Sequence, residues 1–140
     1  MRFGPAYHVV GWFVAGLKAG YVFNTFPLMA GEWVPPGYWV MEPGWRNFFE
    51  NIPTVQFNHR VLGIASFFGL MVFVGVAWRR SARGYYRGLL SVLACAAIVQ
   101  IGLGIATLLL HVPISLAALH QANALLLLTV SLCVAFVGRR

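Results

Sequence analysis

Two histidines, His59 and His120, are the residues of this sequence whose type and spacing suit a specific chemistry. His59 lies 20 residues before Arg79, and His120 lies 19 residues before Arg139, each across an apolar run. If both runs are helical, a rise of ~1.5 Å per residue puts each imidazole about 28–30 Å from its basic end. Two imidazoles at one level on different helices suit a planar macrocycle that is ligated from both faces. The spacing therefore predicts paired heme ligands, with unrelated interfacial histidines as the alternative.

The remaining histidines and the cysteines fit a metal site less well. His8 is expected near the opposite, inner face, and His111 ends an apolar run just before Pro113, at or beyond the outer interface. Zinc needs three or four ligands, and the outer half offers no cysteine to complete such a set. Cys95 and Cys133 lie inside apolar runs, form no CxxC pair and are predicted to be buried structural thiols.

The composition indicates the elements that must carry the two histidines. Of the 140 residues, 60% are hydrophobic and only 9% are charged, which is typical of a membrane protein and not of a soluble domain of this size. We expect an all-α membrane protein, a single four-helix transmembrane bundle over residues 1–140. The approximate spans are 7–26, 61–78, 89–110 and 114–137, with a long outer loop at 27–56.

The basic residues indicate an orientation in the membrane and not a nucleic-acid partner. The formal charge is +7, but no basic stripe with interleaved aromatics is present, so nucleic acid is excluded as a partner. If the spans alternate, seven of the ten basic residues fall on one side, which is then the inner side. Both termini would lie inside, and the aromatic loop would lie outside against membrane lipid. The seven are Arg2, Arg79, Arg80, Arg83, Arg87, Arg139 and Arg140.

Three further polar residues are candidate heme contacts. Lys18 is expected in the outer third of the first span, and Arg60 follows His59 directly, so either cation can pair with heme propionates. Gln121 follows His120 and can bond a porphyrin edge. The alternatives are a lysine that snorkels to the surface, an interfacial arginine and ordinary hydrogen bonds between helices.

Polar residues and glycines inside the spans support a site only modestly. Gln100 and Asn123 lie in apolar runs, where an unpaired polar group is costly, so inter-helix hydrogen bonds are as good an interpretation as heme contacts. Gly102 and Gly104 allow a flat ring to approach the backbone, although close helix packing explains them equally well.

Four segments together resemble the heme A synthase family, whose members oxidise a methyl group of heme O to the formyl group of heme A for cytochrome oxidase assembly. The segments are similar to the fifth to eighth helices of the family's eight-helix fold and to the loop after the fifth. The chain therefore resembles the C-terminal four-helix half of that fold. The segments read GWFVAGLKAGYVFNTFPLMAGEWVP, WRNFFENIPTVQFNHR, QIGLGIATLLLHVP and LAALHQANALLLL.

The resemblance implies roles for individual residues. His59 and His120 correspond to the pair that ligates a b-type heme cofactor, with heme O as substrate and heme A as product. The substrate half of the family carries a glutamate three residues before its first ligand histidine. Here that position is Gln56, which cannot ionise. This half therefore resembles the cofactor site, and its catalytic residues are unknown. The cysteine pair that some members carry in outer loops is missing.

The resemblance also implies partners and a location. A single half is expected to form a homodimer or to join a first-half bundle, and heme O synthase is a further candidate partner. The membrane would be the bacterial plasma membrane or the mitochondrial inner membrane. Two other functions stay open: a b-type cytochrome that transfers electrons without converting heme O, and a heme-free assembly scaffold. The chain is either a natural single-half protein or a fragment of a longer one.

Overall fold

The computed structural model of the protein describes residues 21–82 and 84–139. This part of the chain contains a 3-10 helix, Gly44–Phe48, and three α-helices: α1 (Ile52–Arg80), α2 (Gly84–Leu109) and α3 (Ile114–Gly138). An isolated β-bridge joins Met29 to Glu32, and no strand occurs within the described ranges. The predicted all-α class is confirmed for them. The chain divides into two compact units, Met1–Val61 and Leu62–Arg140, and the prediction of a single bundle stays a prediction.

All three α-helices are long and apolar enough to cross a membrane. The fourth predicted span, 7–26, lies outside the described residues up to residue 20. Its predicted last part was wrong, because the backbone after Tyr21 forms turns and irregular structure. The carbonyls of Phe23 and Thr25 accept hydrogen bonds from side chains of α1. A count of four spans and an eight-helix parent fold stay predictions.

Helix α1 begins nine residues before the predicted boundary at residue 61, so residues 52–56 are not part of the loop. Asn51 precedes the helix, and its side-chain oxygen accepts a hydrogen bond from the backbone N–H of Thr54 at 3.1 Å. This bond satisfies one of the amides that an α-helix leaves unpaired in its first turn. The prediction followed apolarity and missed this polar helix start.

The other helix ends also extend beyond the apolar runs. Helix α1 continues to Arg80, two residues past the predicted end, and α2 begins at Gly84, five residues before the predicted start. Basic and aromatic residues occupy these extra turns, and the guanidinium of Arg87 lies 5.7 Å from the centre of the Trp78 ring. Helix α3 agrees with its predicted span to within one residue.

A buried polar network organises the loop in the first unit. Asn47 is fully buried; its side-chain oxygen accepts from the Met41 N–H at 2.9 Å, and its amide donates to the Met41 carbonyl at 2.7 Å. The side-chain amide of Asn51 donates to the side-chain oxygen of Asn47 at 3.0 Å, and the hydroxyl of Thr54 accepts from the backbone N–H of Trp39 at 2.9 Å. These bonds tie the loop to the first turn of α1.

In the second unit, α2 and α3 are the helix pair that packs most closely. The small apolar core of the second unit also includes a residue of α1 and is formed by Val74, Leu90, Leu93, Val130 and Val134. Cys95 and Cys133 are exposed, so the prediction of buried thiols was wrong. Lipid tails are as apolar as a protein core, and an apolar run therefore does not indicate which of its residues face the protein.

Candidate functional site

The His120 side chain lies between α2 and α3, about two turns into α3. It is half-buried, and its Nε2 atom lies 3.3 Å from the side-chain nitrogen of Gln100 on α2. The ring also packs against Gly104, where a Cβ atom would lie 3.1 Å from His120 Cε1 and 3.5 Å from Nδ1. A glycine at this position is therefore what allows the imidazole to approach the backbone of α2 so closely.

Asn123 extends this contact into a network. It lies three residues after His120, on the same side of α3, because residues three apart are neighbours on a helix surface. Its amide nitrogen donates to the Ala96 carbonyl at 2.9 Å and to the side-chain oxygen of Gln100 at 2.7 Å. The network thus crosses from one helix to the other through three polar side chains.

The hydrogen bonds of Asn123 and Gln100 indicate which ring nitrogen of His120 accepts a hydrogen bond. The Ala96 carbonyl can only accept, so the Asn123 atom that faces it is the nitrogen. The Gln100 atom facing that nitrogen must then be oxygen, which leaves the Gln100 nitrogen toward His120. An amide nitrogen can only donate, and the Nε2 atom of His120 therefore accepts. This arrangement favours the neutral tautomer with its proton on Nδ1, the form whose Nε2 lone pair can ligate a metal.

The other predicted residues around His120 differ in their contacts. Gln121 is exposed on α3, and its heme-edge contact stays a prediction. The position of Gly102 faces open space, whereas Gly104 meets the His120 ring, so the two glycines do not share a role. His111 is exposed and lies past the end of α2 in a left-handed conformation with φ of 60°.

In the first unit, His59 is the eighth residue of α1, also about two turns from the start of its helix. Its side chain is exposed. The neighbouring Arg60 donates to the carbonyls of Thr25 and Phe23, each at 2.7 Å. Gln56, one turn earlier, donates to the same Phe23 carbonyl at 3.0 Å.

These contacts link Arg60 and Gln56 to the segment with Phe23 and Thr25, which precedes the loop. Both guanidinium NH2 groups of Arg60 are engaged by backbone oxygens, and its predicted pairing with a propionate stays a prediction. The side-chain oxygen of Gln56 is buried and has no hydrogen-bond partner among the described residues. Lys18 lies outside the described residues.

Sequence reasoning missed the three contacts that position these groups. The approach of His120 to Gly104, the bond from Asn123 to Gln100 and the shared Phe23 carbonyl all join residues far apart in sequence. The one available signal was the pairing of polar residues in otherwise apolar runs, which indicates inter-helix hydrogen bonds without naming the partners.

Comparison with known proteins decides the family. The family model COX15-CtaA, described as cytochrome oxidase assembly protein, matches residues 6–132. The chain belongs to this family. It is 47% identical over 134 residues to a heme A synthase of Nitrosospira multiformis, a match that covers 93% of the chain and 36% of that relative. It is also 46% identical over 122 residues to heme A synthase COX15 of Bos taurus, covering 87% of the chain and 30% of the relative.

The chain thus spans about a third of the length of the curated relatives it matches. No solved structure matches it. The relatives named heme A synthase, together with the three apolar helices, establish an integral membrane protein, as predicted. The side of the membrane on which each loop and terminus lies stays a prediction.

Proposed function

We propose that the chain is the heme-binding half, or a single-half form, of a heme A synthase, and that His59 and His120 ligate one heme b. The observation that carries the proposal is the contact at His120, whose Nε2 atom faces the side-chain nitrogen of Gln100 in an orientation fixed by Asn123. Membership of the COX15-CtaA family and relatives named heme A synthase support the reaction. The matched depth of His59 and His120 in their helices supports their pairing.

The residues of the site fit such a group. Each histidine lies about two turns into a long apolar helix, and Gly104 leaves room for the His120 ring on the α2 side. Bound heme b would supply one-electron transfer, because two histidine ligands leave no open position on the iron. His59 and His120 would hold it, and in the heme-free protein Gln100 and Asn123 orient the imidazole of His120.

The conversion of heme O to heme A would then take place in a partner half. Gln56, at the position of the family's glutamate, cannot ionise and donates its amide to the Phe23 carbonyl. It therefore supplies no acid–base group for oxidation of a methyl group. For this step the partner is a first-half bundle, because a second copy of this chain would carry the same Gln56. A homodimer would bind heme and transfer electrons without converting heme O. Crosslinking in native membranes tests this: a trapped homodimer or first-half contact is expected, and an active monomer would contradict it.

The same residue favours a second candidate function, a b-type cytochrome that transfers electrons without converting heme O. The two functions predict different products when a first-half partner is present. Co-expression of this chain with a first-half partner, in cells supplied with heme O, would separate them. Heme A among the extracted pigments supports the synthase, and heme b with unconverted heme O supports the cytochrome.

The primary test is the identity of the heme extracted from the purified chain alone, by chromatography and mass, after expression in cells that supply heme O. The expected result is heme b alone. Heme A or a hydroxylated precursor would mean that this single bundle is catalytic and that the argument from Gln56 is wrong. Absence of any heme would remove the proposed roles of His59 and His120.

A further inference from the structure

We propose that Gln100 is a placeholder for the heme iron: in the heme-free protein its amide occupies the Nε2 lone pair of His120 and leaves when iron binds there. This inference rests on the proposed function, since it takes His120 as a heme ligand. It goes further by assigning a positioning role to Gln100 and Asn123, and by stating that their contact with His120 differs between the heme-free and heme-bound states.

The first step is that the Nε2 atom of His120 would be needed both for the contact with Gln100 and for ligation of the heme iron. The Gln100 nitrogen lies 3.3 Å from Nε2, and Asn123 and the Ala96 carbonyl fix the direction of that bond. An imidazole nitrogen has one lone pair, which cannot bond an amide N–H and an iron ion together. Ligation through Nε2 therefore requires the Gln100 amide to move away.

The second step is the reason for such a contact inside an apolar helix pair. A lone pair left without a partner in the hydrocarbon region is costly, so the heme-free bundle is stabilised when Gln100 satisfies it. The same contact selects the Nδ1-protonated tautomer, so the ring is already in the form that binds iron. The cost is that the amide must be displaced before iron can bind.

The third step concerns Asn123, which holds the placeholder in its orientation. Its bond to the side-chain oxygen of Gln100, at 2.7 Å, is shorter than its bond to the Ala96 carbonyl, at 2.9 Å. Loss of Asn123 removes the partner that directs the Gln100 nitrogen toward His120. An amide without that partner is displaced more easily, so both residues affect heme capture in the same direction.

The test compares heme capture by purified heme-free protein in detergent, followed by the rise of the Soret band after addition of hemin. Gln100→Leu removes the placeholder, and we expect the association rate to rise about three- to tenfold, in line with one membrane hydrogen bond. Asn123→Ala is expected to give a smaller increase. The dissociation rate should stay unchanged in both, because the contact is absent once heme is bound.

Thr129→Val is the matched control, because within residues 21–82 and 84–139 its hydroxyl bonds only the Leu125 carbonyl of its own helix. It should capture heme at the wild-type rate. An association rate in Gln100→Leu that is equal to or below that of the wild type would overturn the proposal. Faster dissociation would also overturn it, because it would show that Gln100 supports bound heme.

A measurement on the heme-free protein keeps this proposal separate from the proposed function. Nitrogen NMR of labelled histidine should show His120 with an unprotonated Nε2 atom in the wild type and a mixture of tautomers in Gln100→Leu. Equal tautomer populations in both proteins would overturn the proposed role of Gln100. If the tautomer shifts as expected but no variant binds heme, the contact is real and the proposed function fails.

Discussion

Substitution of Gly104 by alanine measures how closely His120 approaches α2. The new Cβ would lie 3.1 Å from Cε1 of the ring, closer than ordinary van der Waals contact, so the imidazole or the helix must move. Alanine stabilises a helix by about 1 kcal/mol relative to glycine, whereas overpacking costs about 1–3 kcal/mol. The net effect on the free energy of unfolding is therefore a loss of between zero and about 2 kcal/mol.

Gly88→Ala is the matched control for this substitution. Gly88 lies in the same helix, and a Cβ there meets nothing within 4 Å, so only the gain of up to about 1 kcal/mol from helix propensity is expected. The difference between the two variants isolates the clash, at about 1–3 kcal/mol. Unfolding in mixed detergent micelles, followed by circular dichroism, measures both.

A second measurement on the same variants links the contact to the proposed site. A displaced His120 ring presents its lone pair poorly, so Gly104→Ala should bind hemin more weakly than the wild type, while Gly88→Ala should bind it equally well. If Gly104→Ala were stabilised as much as Gly88→Ala and bound hemin normally, the close approach of His120 to α2 would be refuted.

Three further substitutions test the elements that carry the site. Asn51→Ala removes the cap of α1 and should cost about 0.5–2 kcal/mol, with faster exchange of the Thr54 and Val55 amides; unchanged exchange would contradict the cap. Val112→Gly removes the backbone strain of a β-branched residue at φ of 58° and should raise the thermal midpoint of unfolding. Its control, Val99→Gly within α2, should lower that midpoint. A lower midpoint for Val112→Gly would contradict the strain. Arg60→Leu breaks the bonds to the Phe23 and Thr25 carbonyls and should increase proteolysis of that segment, and equal cleavage would show that the bonds do not order it.

The sequence predicted the apolar helices well because composition alone determines whether a segment suits lipid. It placed α3 to within one residue, since Pro113 and Arg139 bracket a mostly apolar run without Asp, Glu, Lys or Arg. It misplaced the start of α1 because polar residues such as Gln56 and Asn58 belong to the helix, and the cap at Asn51 carries no hydropathy signal.

The site was predicted as a set of candidate residues and not as a geometry. Their matched depth along the helices singled out His59 and His120, because that argument needs only a constant rise per residue. The helix rotation that brings Gln100, Gly104 and Asn123 to His120 depends on packing between two uniformly apolar surfaces. Apolar residues occur on every side of these helices, so their sequence pattern does not indicate which side faces the partner helix.

The central claim is that His59 and His120 are the two axial ligands of one heme b. The most direct measurement is the heme content and ferric spin state of the purified wild type and of His59→Ala, His120→Ala and His111→Ala. We expect a low-spin six-coordinate heme in the wild type and in His111→Ala, whose imidazole is exposed beyond the end of α2. Each of the other two variants should lose the heme or become high-spin. A full complement of low-spin heme in either His59→Ala or His120→Ala would contradict the claim.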